Sequence, residues 1–231
     1  MTDSQDSTPG NVRTVDRLED LPEPIPVANF VVVDVIISST SIIRLLEEGA
    51  QYVKPFADPE AARQFKRETE DAILVGEDGG GAIEGFDLSP LPSLIAEADI
   101  EDRPVGIRTS NGTRAMDRIG VTDGLFVGST INASAVADTL RGYESELWVV
   151  AAGRQGRPTP EDTAGADLIA AHCRNENPDT DTLREKVRNS GTADWLRSIG
   201  YENEIESLCA FDSTTTVPKL ENGTFVPVDA D

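Results

Sequence analysis

The chain has 231 residues, of which 38% are hydrophobic, and can bury the core of one large domain or of two small intertwined ones. Forty-two acidic residues against 20 basic ones give a formal net charge of −22, which argues against a surface that binds nucleic acid or an anionic membrane. The acidic residues are spread along the chain and the basic ones are mostly arginine, a distribution typical of adaptation to concentrated salt, where a Debye length of about 3 Å makes their repulsion tolerable.

The first part of the chain is polar and acidic and contains Pro9, Pro22 and Pro24. This composition predicts a flexible leader over residues 1–24 and a single folded domain over residues 25–231. The domain begins with Phe30–Val33, a β-branched run typical of a strand buried on both faces, which ends at Asp34. A hydroxyl-rich turn then leads into a helix that Gly49 ends.

The next unit repeats this order. We predict a strand at Tyr52–Phe56, a helix from Pro59 to Thr69 with Asp58 as its N-cap, and a buried strand at Ala72–Val75. The loop that follows contains Glu77, a run of glycines and Asp87. Carboxylates beside glycines at a strand end favour a magnesium site, and the alternative is a solvated loop on a very acidic protein.

The most informative stretch is Val105–Met116, which predicts the end of a buried strand, a turn and the first turn of a helix. Unpaired N–H groups at such a helix start, together with the helix dipole, attract a phosphate group. The candidate phosphate ligands are Thr109, Ser110, Asn111, Gly112, Thr113 and Arg114. The alternative is a helix cap without a ligand, because Ser, Asn and Thr cap many helices.

Two further units have the same order of strand, turn and helix. Gly124–Val127 leads through Asn132 into a helix at Ala133–Leu140, and Leu147–Ala152 leads through a turn into a helix at Leu168–Cys173. The second turn carries a possible anion donor, Arg154, and two further carboxylates, Glu161 and Asp162. These repeats predict an α/β fold with three layers, α/β/α, around a largely parallel central sheet, either as one unit or as two intertwined halves. Ligands bind such sheets at the carboxyl ends of the strands, so we expect these turns to meet there.

The rest of the chain carries weaker signals. We predict an amphipathic helix over Leu183–Ile199 with Trp195 on its inner face, and a short strand at Leu208–Phe211. The two cysteines suit a reducing cytoplasm, and neither a signal peptide nor the roughly 18 apolar residues of a membrane span is present. The sole histidine, His172, lies in a helical pattern, which argues against a Ser-His-Asp or Cys-His mechanism.

Taken together, these motifs resemble the 2-phosphosulfolactate phosphatase (ComB) family. The resemblance covers roughly residues 29–171 and rests on Asp34-Val35, Glu77 with its glycines, Gly85-Phe86-Asp87-Leu88, Thr109–Ala115, Asn132-Ala133, Ala152-Gly153 with Gly156, and Glu161-Asp162. It implies a magnesium-dependent phosphatase of α/β architecture that converts (2R)-phosphosulfolactate to sulfolactate and phosphate in coenzyme M biosynthesis.

Two positions depart from the family pattern. The family usually has Asp-Val-Leu-Arg-Ala, whereas here Ile37 takes the arginine position and Ser38 the alanine position. The family's Gly-Phe-Asp-Leu continues into Gly-Asn-Ser-Pro, whereas here Leu88 is followed directly by Ser89-Pro90. A lost arginine points to a changed substrate or a lost activity, and Arg44, Arg108, Arg154 or Arg157 are the candidates to replace it.

The residues and the resemblance together predict a metal-assisted phosphomonoester hydrolase that acts on a small phosphorylated acid. Its expected site comprises catalytic Asp34, Arg114 and Glu161, phosphate ligands Thr109, Ser110, Asn111, Gly112, Thr113, Asn132 and Arg154, and magnesium ligands Glu77, Asp87 and Asp162. Asp34 is either a metal ligand or general base, or a nucleophile that forms an aspartyl phosphate. The rival hypothesis is a non-catalytic protein that binds small anions. We expect a cytoplasmic protein, a homo-oligomer as one possible assembly, and neither nucleic acid nor membrane as a partner.

Overall fold

The computed structural model describes residues 11–120 and 122–228. The strands of this part are β1 Val12–Val15, β2 Asn29–Val33, β3 Tyr52–Pro55, β4 Ile73–Asp78, β5 Gly81–Ala82, β6 Pro104–Arg108, β7 Gly124–Gly128, β8 Leu147–Ala151, β9 Pro218–Glu221 and β10 Thr224–Pro227. The helices are α1 Ser38–Glu47, α2 Pro59–Glu68, α3 Pro92–Ala96, α4 Gly112–Ile119, α5 Ala133–Leu140, α6 Pro160–Cys173, α7 Thr180–Arg188, α8 Gly191–Ser198 and α9 Glu202–Cys209. Among these helices, none combines the length and the apolar character that a membrane crossing requires.

The strands form one mixed sheet in the order β1-β8-β2-β7-β9-β10-β3-β6-β4-β5. It contains two parallel blocks, β1-β8-β2-β7 and β3-β6-β4, which the β9–β10 hairpin joins through antiparallel pairings. The α/β fold with a mostly parallel central sheet is thus confirmed. The two blocks are intertwined in sequence, because β3, β4 and β6 lie between β2 and β7 along the chain.

The strand ends converge by a route that the sequence did not predict. Three successive antiparallel pairings make the two blocks run in nominally opposite directions, so their carboxyl ends do not share one edge of a flat sheet. Five pairings separate β2 from β6, and a twist of roughly 20–25° each accumulates to about 100–125°. The ends of β2 and β6 meet, since the Gly112 amide donates to the Asp34 carboxylate across 2.9 Å.

The sheet is covered on both faces. In β2, Phe30 and Val32 belong to one hydrophobic core, while Val31 and Val33 belong to the other. The first core contains side chains of α1 and α4, and the second contains side chains of α5 to α9. This burial on both sides explains why β2 is a continuous apolar run without alternation, and it confirms the three-layer arrangement.

The predicted leader is in part folded, which corrects its boundary. Residues 1–10 lie outside the described part of the chain. Beyond them, β1 pairs in parallel with β8, and Leu18 and Leu21 are buried. The apolar residues among the polar ones in this segment cover an edge strand that would otherwise expose its backbone.

Most predicted elements agree with the structure, including the N-cap of α2, where Asp58 accepts from the amides of Glu60 and Ala61. The predicted helix over residues 183–199 is wrong, because it is divided into α7 and α8, and the Ser190 hydroxyl caps α8 by accepting from the Ala193 amide. The predicted strand at Leu208–Phe211 is also wrong. Its first residues end α9, which turns Ile205, Leu208 and Cys209 toward the second core.

Two further differences concern the ends of elements. The helix predicted at Leu168–Cys173 begins at Pro160, so α6 includes both Glu161 and Asp162. The β9–β10 hairpin was not predicted. It turns at Asn222 and Gly223, which both have positive φ, the conformation that makes Asn-Gly the preferred pair for a tight hairpin.

Candidate active site

A cavity of about 240 Å³ lies where the loops after β2, β4, β6 and β8 meet the helix α8. Each loop follows a strand, so rigid elements fix the positions of the side chains around it. The residues that line it are Asp34, Ile36, Ile37, Glu77, Asp78, Gly79, Gly80, Arg108, Ser110, Asn111, Arg114, Gly153, Arg154, Gln155, Thr159, Glu161, Asp162, Thr192 and Trp195.

Four carboxylates in this wall are almost completely buried. Asp34, Glu77, Glu161 and Asp162 are each at most 6% exposed, and no arginine, lysine or histidine of the described residues forms an ion pair with any of them. Buried charges normally pair with an opposite charge or bind a metal ion, because an isolated charge is costly to remove from water. No cationic side chain of the described residues balances this cluster, so a bound metal ion is one way to balance it.

Asp34 comes directly after β2 and is held by two backbone amides. Ile37 donates to its Oδ1 at 3.0 Å and Gly112 donates to its Oδ2 at 2.9 Å. The pKa of Asp34 is raised from 3.8 to about 6, mainly by burial and to a smaller extent by the charges of Glu77 and Glu161, while the Ile37 amide acts in the opposite direction. Asp34 therefore exchanges protons close to neutral pH.

Glu161 and Asp162 stand in the first turn of α6, where acidic residues are favoured by the helix dipole. Asp162 accepts from the amide of Val35 at 2.8 Å and from that of Gly153 at 3.1 Å. Burial raises the pKa of Asp162, and the neighbouring charges of Asp34 and Glu161 add to the effect. Glu161 differs from Asp162 because its buried Oε2 has no hydrogen-bond partner.

Glu77 at the end of β4 binds the turn that follows β6. Its Oε1 accepts from the Ser110 amide at 2.6 Å, and its Oε2 accepts from the Ser110 hydroxyl at 3.1 Å and the Gly80 amide at 2.7 Å. Gly80 has φ +89°, and a Cβ there would lie 3.0 Å from the Trp195 ring. A glycine is therefore needed for the loop to pass beneath this ring.

Three arginines face the same cavity with different partners. Arg108 donates to Asp78 at 2.9 Å, and Arg114 forms an ion pair with Glu19. Arg154 is exposed and has no ion-pair partner among the residues that the structure describes. The wall thus combines buried negative charge with positive charge at its rim, which suits a phosphoryl group bound through a divalent cation.

The structure brings together eight of the residues predicted for the site. Those that line the cavity are Asp34, Glu77, Ser110, Asn111, Arg114, Arg154, Glu161 and Asp162. Asp34 and Arg114 thus line the same cavity, in agreement with the expectation that the turns after the strands meet.

The predicted phosphate turn holds carboxylates of the protein itself. Two of its amides, those of Gly112 and Ser110, donate to Asp34 and Glu77, and the Thr113 amide donates to the Thr109 hydroxyl at 3.3 Å. The turn therefore does bind anions, as its sequence indicates, but these N–H groups are already satisfied. This corrects the expectation that Thr109, Gly112 and Thr113 face a ligand, since none of the three lines the cavity.

Two more predicted ligands lie away from the cavity. Asn132 is buried, accepts from the Ser129 amide at 2.8 Å and donates to the Thr216 carbonyl at 2.9 Å, so it fixes a turn. Asp87 forms an ion pair with Lys66 and accepts from the Leu74 amide at 2.7 Å. The structure thus separates Asp87 from the carboxylate cluster, because its loop folds back along the outer side of β4.

Several cavity residues were missed as ligands. Arg108, which was named only as a possible replacement for the lost arginine, ends β6 and lines the cavity. Trp195 was interpreted as packing, whereas it packs on Gly80 and also lines the cavity with Thr192. No short-range pattern predicts that α8 closes this side, because the contact joins segments more than 100 residues apart.

The chemistry of these residues is compatible with the magnesium ion that the sequence predicts. Within the described ranges, no three His, Cys, Asp or Glu side chains form a ready-made metal cage. Magnesium does not need one, because it binds one or two carboxylates and keeps several waters. Glu161, with its unpartnered oxygen, is the strongest candidate ligand, and Glu77 and Asp162 line the same cavity.

Comparison with known proteins gives a consistent result. The family described as 2-phosphosulpholactate phosphatase matches residues 15–223. A probable 2-phosphosulfolactate phosphatase of Thermotoga petrophila is 30% identical over 88% of this chain and 93% of its own length. Proteins with the same description from Thermoplasma acidophilum and Prochlorococcus marinus are 31% and 30% identical, over 85% and 81% of this chain and 87% and 77% of their own lengths.

Proposed function

The chain belongs to the 2-phosphosulpholactate phosphatase family, and from this premise we propose that it hydrolyses a small phosphorylated acid to an alcohol and inorganic phosphate. The substrate we favour is 2-phosphosulfolactate, which the relatives' names specify. One observation carries the proposal. Four buried carboxylates, none of them paired with a cationic side chain of the described residues, line the same cavity of about 240 Å³ as Arg108, Arg114 and Arg154.

Glu161, together with Glu77 or Asp162 as a second carboxylate, would hold the magnesium ion of this proposal, and water would complete its coordination. Such an ion, when bound, neutralises phosphoryl oxygens and so favours attack on phosphorus. The fit is supported by the buried Oε2 of Glu161, which has no partner in the described residues, and by the absence of an ion pair to the cluster.

The side chains have separate tasks in the proposed reaction. The Arg114 guanidinium binds phosphoryl oxygens, as arginine does in many phosphoryl-transfer sites, and Ser110 and Asn111 border the same position. Asp34 takes a proton from the attacking water, a task suited to a carboxyl with a pKa of about 6. The water oxygen bonds to phosphorus, the ester P–O bond breaks, and the leaving oxygen takes up a proton.

A covalent route through Asp34 is the alternative for this step. Both of its oxygens accept backbone amides, so the carboxylate is held in place for either role. Acid quench during turnover of a ³²P-labelled substrate separates the two routes. We expect no labelled protein, and an acid-stable, hydroxylamine-sensitive label would instead make Asp34 the nucleophile.

The test of the proposed function is phosphate release from a panel of phosphorylated acids in molar potassium chloride. The panel contains 2-phosphosulfolactate, 2-phospholactate, 3-phosphoglycerate and glycerol 2-phosphate, each assayed with magnesium and with a chelator. We expect magnesium-dependent release, highest with an ester that carries a second acid group. Binding of these compounds without any release would support the non-catalytic alternative and contradict the proposal.

Position 37 gives a reason to use a panel of substrates. Ile37 lines the cavity with an apolar side chain, so the cation that the resemblance leads one to expect at this position is absent. Its amide still supports Asp34. A substrate group that the expected arginine would bind must therefore contact another cation. Arg154 lines the same cavity and is the candidate.

A further inference from the structure

A shallow groove of about 470 Å³ continues the cavity outward. Arg154, Gln155, Thr159, Glu161 and Thr192 line both spaces. The groove adds a second arginine, Arg157. A ligand in the cavity could therefore extend one end past Glu161 into a space with two cations.

The loop that carries these arginines has a defined shape. The Arg154 amide donates to the Arg157 carbonyl at 2.8 Å, and the Arg157 amide donates to the Arg154 carbonyl at 3.0 Å. Outside contacts hold both ends, since the Gly153 amide donates to Asp162 and Arg17 donates to the Gly156 carbonyl at 3.0 Å. These contacts fix the backbone of both arginines, while their side chains are exposed.

This pairing brings two like charges together. Arg154 and Arg157 stand directly opposite each other in an isolated antiparallel bridge, where side chains point to the same face and like charges are destabilising. Both side chains are exposed, and in the described residues neither has a hydrogen-bond or ion-pair partner. The other arginines facing the cavity, Arg108 and Arg114, have carboxylate partners.

We propose that Arg154 and Arg157 form a second anion subsite that binds the sulfonate or carboxylate group of the substrate, separate from the phosphoryl position. An anionic oxygen cluster between the two guanidinium groups removes their repulsion and supplies bidentate acceptors. The carboxylates at the inner end of the groove direct this acid group outward while the phosphoryl group occupies the cavity. The subsite selects phosphate esters that carry a further acid group.

This inference rests on the proposed function for its natural ligand, and its test compares two esters with the same skeleton. Glycerol 2-phosphate has the three-carbon chain of 2-phosphosulfolactate but a hydroxyl group in place of the sulfonate and a hydroxymethyl group in place of the carboxylate. The quantity measured is the ratio of kcat/KM for 2-phosphosulfolactate to that for glycerol 2-phosphate. We expect Arg154→Gln and Arg157→Gln each to lower this ratio about tenfold, through KM, because one charge-assisted contact is lost.

Two further variants serve as controls. Arg67→Gln removes the same charge from the exposed face of α2, far from the groove in sequence and 61% exposed, and should leave the ratio at the wild-type value. Arg157→Lys keeps the charge but not the planar fork, so its ratio should fall between those of the wild type and Arg157→Gln. A wild-type ratio in both glutamine variants would overturn the subsite.

A binding measurement separates failure of the subsite from failure of the proposed function. If the wild type hydrolyses neither ester, the phosphatase proposal fails, and calorimetry with sulfolactate, which has no phosphoryl group, still tests the subsite. We expect sulfolactate to bind the wild type about tenfold more tightly than Arg157→Gln. Equal affinity, or no binding to the wild type, would overturn the inference.

Discussion

At the scale of single residues, Arg114 has the most direct proposed role, which is to bind the phosphoryl group. Its side chain lines the cavity and is also partly exposed to solvent. It lies on α4 and pairs with Glu19, and one turn later Arg118 pairs with Glu23. Only Arg114 of the two lines the cavity. The two arginines therefore form a matched pair on one helix.

We predict that Arg114→Ala lowers kcat/KM for phosphate release by about 100-fold, since it removes a charged contact to the phosphoryl group. Its melting temperature should stay close to that of the wild type, because exposed ion pairs contribute about 0–1 kcal/mol. Arg118→Ala removes the same charge from the same helix and should keep its activity. Equal activity in the two variants would show that Arg114 does not bind the phosphoryl group.

Asp34 permits a prediction about pH. Its pKa is raised from 3.8 to about 6, so the folded state holds this proton more tightly than the unfolded state does. The resulting stabilisation is present below pH 3.8 and is lost as the pH rises toward 6, by about 3 kcal/mol at most.

The measurement compares the wild type with Asp34→Asn in the presence of a chelator. The free energy of unfolding of the variant, relative to the wild type, should rise as the pH increases from about 4 to 6. The amide of asparagine cannot accept from both backbone N–H groups, but that loss is the same at every pH and does not affect the slope. Parallel curves for the two proteins would contradict the raised pKa.

The residues found from the sequence share one property: they are side chains that immediately follow a strand or begin a helix. Asp34, Glu77 and Glu161 were identified in this way. Thr109 and Asn132 were predicted as ligands but do not line the cavity, because a hydroxyl or amide in a turn serves a ligand or its own backbone equally well. Sequence spacing does not distinguish the two uses.

At the scale of elements, the close approach of α4 to the end of β2 holds the site together. A Cβ at Gly112 would lie 2.4 Å from Ser38 and 2.9 Å from the Asp34 Oδ2. Only a glycine lets the helix start come near enough for its amide to bind this carboxylate. The contact joins the two blocks of the sheet.

We predict that Gly112→Ala destabilises the protein by about 1–3 kcal/mol, as overpacking of a buried contact usually does, and lowers kcat strongly by moving Asp34. Gly142→Ala is the control, because nothing lies within 4 Å of its added Cβ and its φ is not positive. Denaturant unfolding and phosphate release measure the two effects. A Gly112→Ala variant as stable and active as Gly142→Ala would refute the requirement for close approach.

The elements that sequence patterns predicted best are the buried strands and the helices with a cap and an apolar face. The division between α7 and α8 was missed, although Ser190-Gly191 is a plausible break. Leu208–Phe211, whose first two residues end α9, was predicted as a strand because four apolar residues are too few to distinguish the period of a helix from that of a strand. Its burial against the second core, a tertiary contact, decides the outcome.

At the scale of the whole molecule, the repeated order of strand, turn and helix predicted the fold class but not the way its parts join. The sequence indicated a single edge of a parallel sheet, whereas a C-terminal hairpin reverses one block and twist brings the strand ends back together. Such pairings depend on contacts between distant segments. No local pattern contains them.

The net charge of −22 leads to a separate prediction for the whole chain. If the acidic surface is adapted to salt, the melting temperature should rise as potassium chloride increases from 0.1 M to 2 M, because screening removes repulsion between carboxylates. A series in choline chloride at equal ionic strength shows whether screening alone is sufficient. A constant or falling melting temperature would argue against salt adaptation.

The central claim is that loops from both blocks of the sheet form one site for a phosphoryl group. A crystal structure with magnesium and orthovanadate, which mimics five-coordinate phosphorus, tests it most directly. We predict vanadate in the cavity, in contact with Arg114 and beside Asp34 and Glu161. Vanadate bound elsewhere, for example in the 420 Å³ groove between α4 and the β9–β10 hairpin, with this cavity left empty, would contradict the account.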